Sequence, residues 1–161
     1  GYFDHPPMVA WLIALGNIVF SSNFGLRICS IILSIAAYYL LWTLIPKKAK
    51  DHPKAILLYL LLVIAIPICN LYSFITTPDA ALLFFTVVYL KVFNRFLNNQ
   101  NITNGLLLGI SAALLMYTKY HGALVIILTL IPHLKLFKSI HFYTATLVGI
   151  ILYKSMKVCN K

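Results

Sequence analysis

The chain has 161 residues, of which 61% are hydrophobic and 10% are charged, and its formal net charge is +10. A soluble globular domain has about 25% charged residues, so this composition excludes that class and indicates an integral membrane protein. The cations lie between apolar runs and are not gathered on one soluble face, so we expect no nucleic-acid partner. Lysine-rich loops between spans are instead typical of a multi-pass membrane protein.

The cysteines and the first residues add two expectations. Cys29, Cys69 and Cys159 lack the spacing of metal ligands, and the first two lie in apolar runs, where cysteine acts as a small hydrophobic residue. We therefore predict neither a disulfide nor a zinc site. The chain begins with glycine and shows no signal peptide, so we expect it to start within a longer protein.

The first segment predicts a helix that lies along the membrane surface. The apolar run MVAWLIALGNIVF follows Pro7 and is shorter than the about 20 residues that a membrane span requires. Proline suits the first helical position, where its missing N–H would have no partner. Residues 1–25 are thus expected to form an outer loop and an interfacial helix.

Apolar stretches in the rest of the chain predict about six membrane helices within residues 26–153. Pro67 is expected to kink one of these helices. The result is an all-α, polytopic transmembrane bundle that forms a single partial domain. The predicted apolar stretches are residues 26–45, 55–74, 80–96, 105–134 and 142–153.

The stretch 105–134 is interrupted by Lys119 and His121. One long helix would place both side chains in the bilayer, where a lysine alone costs about 2.5–3.5 kcal/mol. We therefore predict two short helices that meet at a polar corner.

The distribution of lysine and arginine predicts which side each loop faces. Loops at residues 46–54, 91–104 and 135–141 carry eight cations, whereas the opposite side carries Arg27 and Lys119. The positive-inside rule makes the first side cytoplasmic. Three lysines at the end of the chain depart from this rule, and we attribute the departure to a truncated end: Lys154, Lys157 and Lys161.

Five ionisable residues are thereby predicted to lie at the non-cytoplasmic surface: Asp4, His5, Asp79, Lys119 and His121. Ionisable groups at a membrane edge are candidates for function. Simpler explanations exist, since the aspartates can cap helices, the lysine can reach headgroups and each histidine can be a neutral hydrogen-bonding group. Together, cations that bind a phosphate and carboxylates that orient a hydroxyl or a metal ion suit a lipid-phosphate substrate.

Three segments, GYFDHPPMVAWLIALGN, TTPDAALLFF and YTKYHGALVIIL, resemble membrane glycosyltransferases of the GT-C class. The likeness is to the dolichyl-phosphate-mannose-protein mannosyltransferases and bacterial aminoarabinose transferases, and it extends to about residue 150. It implies a multi-pass protein of a bacterial inner membrane. The implied reaction moves a sugar, with inversion, from a polyprenyl-phosphate donor to a lipid, glycan or protein acceptor at the periplasmic face.

The resemblance also implies roles for single residues. Asp4 and Asp79 correspond to supporting carboxylates, while His5, Lys119 and His121 would bind the donor phosphate. The family's main catalytic base lies upstream of the counterpart of FDHPP and is not in this sequence, so we expect this fragment to be inactive by itself. The resemblance requires no cofactor and leaves a divalent metal ion open.

Two alternatives stay open from the sequence. A transporter or lipid-carrier-binding protein would hold its ligand without making a bond, and a transporter would show an internal repeat and charges near the middle of the bilayer. A noncatalytic scaffold or degraded gene product is the third hypothesis.

Overall fold

The computed structural model describes residues 8–20, 22–65 and 78–158, with side chains up to residue 155. Within these ranges the chain is helical and has no strand, which confirms the all-α prediction. The predicted kink at Pro67 and the candidates Asp4 and His5 lie outside the described residues. The helices are α1 (Met8–Val19), α2 (Gly25–Leu44), α3 (Lys47–Lys50), α4 (Ala55–Ala65), α5 (Pro78–Asn98), α6 (Ile102–Thr118), α7 (Gly122–Leu130) and α8 (Ile140–Val158), with a 3₁₀ segment over Ile131–Lys138.

Two of the described helices, α2 and α5, are long and apolar enough to cross a membrane. They have 20 and 21 residues, which at 1.5 Å per residue is about 30 Å and matches the hydrocarbon core of a bilayer. These helices agree with the spans predicted at residues 26–45 and 80–96. The expected total of about six membrane helices and the single domain stay predictions.

The chain divides into two compact units, an N-terminal one of residues 8–87 and a C-terminal one that begins at Val88. In the N-terminal unit, α1 packs closely against α2 where two glycines meet. A Cβ atom on Gly16 would collide with the carbonyl oxygen of Gly25, and one on Gly25 would lie 2.9 Å from the carbonyl oxygen of Gly16. The predicted helix at residues 8–20 is therefore present, and its place at the outer membrane surface stays a prediction.

Aromatic side chains hold the lysine-rich loop between α2 and α4. The rings of Trp42 and Tyr59 lie 5.1 Å apart, and the Nζ atom of Lys50 lies 5.4 Å from the centre of the Trp42 ring. Tyr59 also donates a hydrogen bond of 2.5 Å to the carbonyl oxygen of Tyr38 on α2. Trp, Tyr and Lys together at a helix end are typical of the boundary between membrane and water.

In the C-terminal unit, α6 and α8 pack side by side and run in the same direction. A Cβ on Gly105 would lie 2.7 Å from the carbonyl oxygen of His141, and one on Gly109 would collide with that of Ala145. Small residues four apart on both helices, including Gly149 on α8, allow this close approach, as is common between membrane helices.

The second half of α5 contacts the returning segment formed by α7 and the 3₁₀ helix. The hydroxyl groups of Tyr89 and Thr129 lie 2.9 Å apart, and the ring of Phe93 meets that of His133 edge to face at 5.5 Å. Tyr89 and Phe93 are both buried. The second half of α5 therefore runs in the same direction as α7 and the 3₁₀ segment.

The last helix is longer than the apolar run that predicted it. The run covers residues 142–153, whereas α8 covers Ile140–Val158 and has 19 residues. The difference arises because hydropathy marks only the apolar part of a helix, while lysine and methionine continue it with favourable helix propensity. The helix therefore extends beyond the apolar run at both ends.

Candidate functional site

The structure describes three of the five predicted site residues. Asp79 is the second residue of α5 and belongs to the N-terminal unit, whereas Lys119 and His121 belong to the C-terminal unit. Lys119 and His121 lie together in the connection between α6 and α7. Their convergence with Asp79, and with the undescribed Asp4 and His5, stays a prediction.

The connection between α6 and α7 is the polar corner that the sequence predicts. Helix α6 ends at Thr118, and Lys119 then adopts an extended backbone with φ −165° and ψ 147°. The N–H of Gly122 donates to the carbonyl oxygen of Lys119 at 2.9 Å, and that of Leu124 donates to His121 at 3.0 Å. The chain thus reverses over three residues, which confirms two short helices in place of one long one.

Gly122 allows α7 to fold back directly on α6. A Cβ atom at this position would lie 2.8 Å from the carbonyl oxygen of Leu115 and 2.9 Å from its Cγ atom. Gly122 is buried, while Tyr120 and His121 just before it are exposed and Lys119 is partly exposed. The sharp reversal therefore presents the polar side chains of the corner outward.

Tyr117 attaches the corner to α8 and was not singled out from the sequence. Its hydroxyl donates to the carbonyl oxygens of Leu152 at 2.9 Å and Tyr153 at 2.7 Å, and its side chain is 2% exposed. The Tyr117 and Tyr153 rings lie 5.6 Å apart. The sequence shows a tyrosine just before the corner. It does not show the partner of this tyrosine, because that partner lies on a helix much later in the chain.

Asp79 has a structural explanation beside the functional one. Pro78 is the first residue of α5, a position where its missing N–H costs no helical hydrogen bond. Asp79 lies in the first turn, where the positive end of the helix dipole favours a carboxylate. Its side chain is partly exposed, while Ala80 beside it is buried.

An apolar groove of about 840 Å³ opens between the helices of the C-terminal unit. Small residues of α6 and α8 form part of its wall, with larger apolar side chains from α7 and the 3₁₀ segment. Among the described residues that line the groove, Lys154 on α8 carries the only charge.

The part of the chain that the structure describes contains no group of three or more histidine, cysteine, aspartate or glutamate residues that could hold a metal ion. The cations of the corner could contact an anion directly. We refer to the corner with Lys119 and His121 as the candidate anion site, because both side chains are basic.

Comparison with known proteins identifies a family. The family model described as dolichyl-phosphate-mannose-protein mannosyltransferase matches residues 4–156. This range includes the five candidate site residues, the corner and Lys154. No curated protein and no solved structure matches the chain.

Proposed function

The chain belongs to the dolichyl-phosphate-mannose-protein mannosyltransferase family, a group of membrane glycosyltransferases of the GT-C type, and from this premise we propose that it serves sugar transfer from a polyprenyl-phosphate donor. The observation that carries the proposal is the family match over residues 4–156. The acceptor is a hydroxyl group of a lipid, glycan or protein. The reaction takes place at the non-cytoplasmic face, which in a bacterium is the periplasmic face of the inner membrane.

The proposed reaction replaces one bond to the anomeric carbon with another. A carboxylate base removes the proton of the acceptor hydroxyl, whose oxygen attacks the anomeric carbon from the face opposite the donor phosphate. The bond between that carbon and the phosphate oxygen breaks, and the electron pair leaves with the polyprenyl phosphate. One attack of this kind inverts the anomeric configuration.

The corner between α6 and α7 supplies the charges that this leaving group requires. The ammonium of Lys119 and the imidazole of His121 would bind the phosphate and stabilise the negative charge that grows as the bond breaks. His5 would add a third contact, while Asp4 and Asp79 would orient the acceptor. The exposed position of His121 and the partly exposed one of Lys119 support this role.

Binding of a lipid carrier without bond making is the second candidate function. The groove beside Lys154 favours it, because an apolar groove with one cation suits an amphiphilic anion regardless of catalysis. The two functions differ in whether a sugar is transferred, so one set of variants can separate them.

The test is sugar transfer and donor binding by corner variants that are made in the full-length parent protein. We expect Lys119→Ala and His121→Ala to lower transfer by about tenfold or more each, because each removes a charge-assisted contact to the phosphate. Lys119→Arg should retain more activity than Lys119→Ala, since it keeps the charge.

Lys135→Ala is the matched control, because Lys135 is an exposed lysine of the 3₁₀ segment that follows α7. It should leave transfer unchanged. Full transfer in both corner variants would refute the proposed site, while donor binding with no transfer to any acceptor would favour the carrier-binding function.

A further inference from the structure

The structure points to Lys154 as a further contact for the donor phosphate, and we propose that the groove beside it holds the adjoining part of the polyprenyl chain. This inference rests on the proposed function, because it takes the donor to be a polyprenyl phosphate. It concerns a lysine that the sequence analysis attributes to a truncated end.

Lys154 lies at the same end of the C-terminal unit as the corner. Tyr117 on α6 bonds the carbonyl oxygens of Leu152 and Tyr153 on α8, so these positions are at one level. Lys154 follows that level directly on α8, and Lys119 follows it just beyond the end of α6. At the other end of the same helix pair, Gly105 contacts the backbone of His141. Lys119 and Lys154 therefore lie at a similar level along the axes of α6 and α8, although they are far apart in sequence.

The groove begins at this end and extends along α8 toward Phe142. Eleven helical steps separate Phe142 from Tyr153, which corresponds to about 17 Å at 1.5 Å per residue. Gly109, Ala113 and Gly149 have little or no side chain, so the wall that the closely packed α6 and α8 form projects little bulk into the groove. A volume of about 840 Å³ is within the usual range for sites that bind small molecules.

The charge distribution selects the kind of ligand. An ammonium beside an apolar wall is costly unless an anion or water balances it, and a long lysine side chain can extend toward such a partner. A neutral lipid would fill the groove and make no charge-assisted contact with Lys154. A single apolar chain that ends in a phosphate suits both the apolar groove and the charge of Lys154. The chain would lie along the groove, and the phosphate would lie between Lys154 and the corner.

This placement gives Lys154 an explanation other than a truncated end. At the outer end of α8, Lys154 is an exception to the positive-inside rule. A cation on the outer side is expected if it binds an anionic substrate there, because function then outweighs the general charge bias.

The experiment measures binding of undecaprenyl phosphate and of undecaprenol to the protein in phosphatidylcholine nanodiscs. We expect Lys154→Met to weaken binding of the phosphate by about tenfold and to leave binding of the neutral alcohol unchanged. Lys154→Arg should restore most of the phosphate binding. Because Lys154 is exposed, these changes should not disturb folding, and an unchanged melting temperature verifies this.

A second pair of variants tests the groove. Ile150 lines it and is 52% exposed, so Ile150→Trp should obstruct the groove and weaken binding of both lipids. Leu147 lies on the same helix, is 62% exposed and does not line the groove, so Leu147→Trp is the matched control and should weaken neither.

The inference is overturned if Lys154→Met binds the phosphate as tightly as the unchanged protein does. It is also overturned if phosphatidylglycerol competes as well as undecaprenyl phosphate, because the site then binds any anionic lipid. If Lys119→Ala abolishes transfer and Lys154→Met has no effect on binding, only the inference fails. If the corner variants keep full transfer while Lys154→Met still loses phosphate binding, the proposed function fails and the lipid site stands.

Discussion

The hydroxyl of Tyr117 lies 2.7 Å from the carbonyl oxygen of Tyr153, and the two rings lie 5.6 Å apart. This contact joins the last turn of α6 to α8 directly below the polar corner. It fixes the level of Lys119 relative to Lys154 along the axes of α6 and α8. The arrangement of the candidate anion site therefore depends on a buried tyrosine that touches no proposed ligand.

Replacement of Tyr117 by phenylalanine tests this connection. Tyr117→Phe keeps the ring and removes the hydroxyl, so we expect a loss of about 1 kcal/mol in stability, the usual contribution of one hydrogen bond. Binding of undecaprenyl phosphate should weaken as well, because the corner loses its attachment to α8. Thermal unfolding and nanodisc binding measure the two effects. Tyr143→Phe is the control, since Tyr143 is 58% exposed on α8, and an equal effect of both changes would contradict the prediction.

The contact between α6 and α8 predicts different effects on stability when each of two glycines is replaced by alanine. Gly109→Ala should destabilise the protein by about 1–3 kcal/mol, because the new Cβ would collide with the carbonyl oxygen of Ala145 and the helices would have to separate. Gly149→Ala should be tolerated, because its Cβ would lie 3.4 Å from the carbonyl oxygen of Gly109, an ordinary contact distance. Unfolding in detergent compares them, and equal stability of the two variants would show that α6 and α8 are less closely packed than described.

The corner predicts a strict requirement for glycine at residue 122. In Gly122→Ala the added methyl would lie 2.8 Å from the carbonyl oxygen of Leu115, so α7 would have to move away from α6. We expect a loss of about 1–3 kcal/mol in stability and weaker donor binding. Ala123→Gly changes the neighbouring residue without adding bulk and serves as the control for donor binding. Normal binding by Gly122→Ala would mean that the corner does not need this close approach.

The hydrogen bond between α5 and α7 can be measured by a double-mutant cycle. Thr129 donates its own proton to backbone carbonyl oxygens of α7, so the hydroxyl of Tyr89 is the donor in the bond of 2.9 Å between them. Tyr89→Phe, Thr129→Val and the double variant should give a coupling energy of about 0.6 kcal/mol, the average for such bonds in a membrane protein. Additive effects of the two single changes would contradict the contact.

Sidedness is tested by cysteine labelling after Cys29, Cys69 and Cys159 have been replaced by serine. We expect Lys119→Cys and Lys154→Cys to react with a membrane-impermeant maleimide from outside the cell. The reverse is expected for a cysteine in the lysine-rich loop between α2 and α4, which should react only after the membrane is opened. Labelling of residues 119 and 154 from opposite sides would contradict both the corner site and the role of Lys154.

The sequence by itself was enough to predict the membrane class, the helices α2 and α5, and the break between α6 and α7. Each of these depends on local properties, because the cost of placing a lysine in lipid and the length of an apolar run can be read from neighbouring residues. The candidates Lys119 and His121 were found in the same way, from charged residues that interrupt an apolar stretch.

Only the tertiary structure decided which residues meet across the helices. Tyr117 and Tyr153 are distant in sequence, and their contact arises from the parallel packing of α6 and α8, which in turn depends on backbones that approach at Gly105 and Gly109. The groove beside Lys154 is the space that this packing leaves between helices, so no single segment encodes it. The physical reason is that hydropathy reports where a side chain prefers to be, whereas a binding site is formed by the shapes and charges of side chains that the fold brings together.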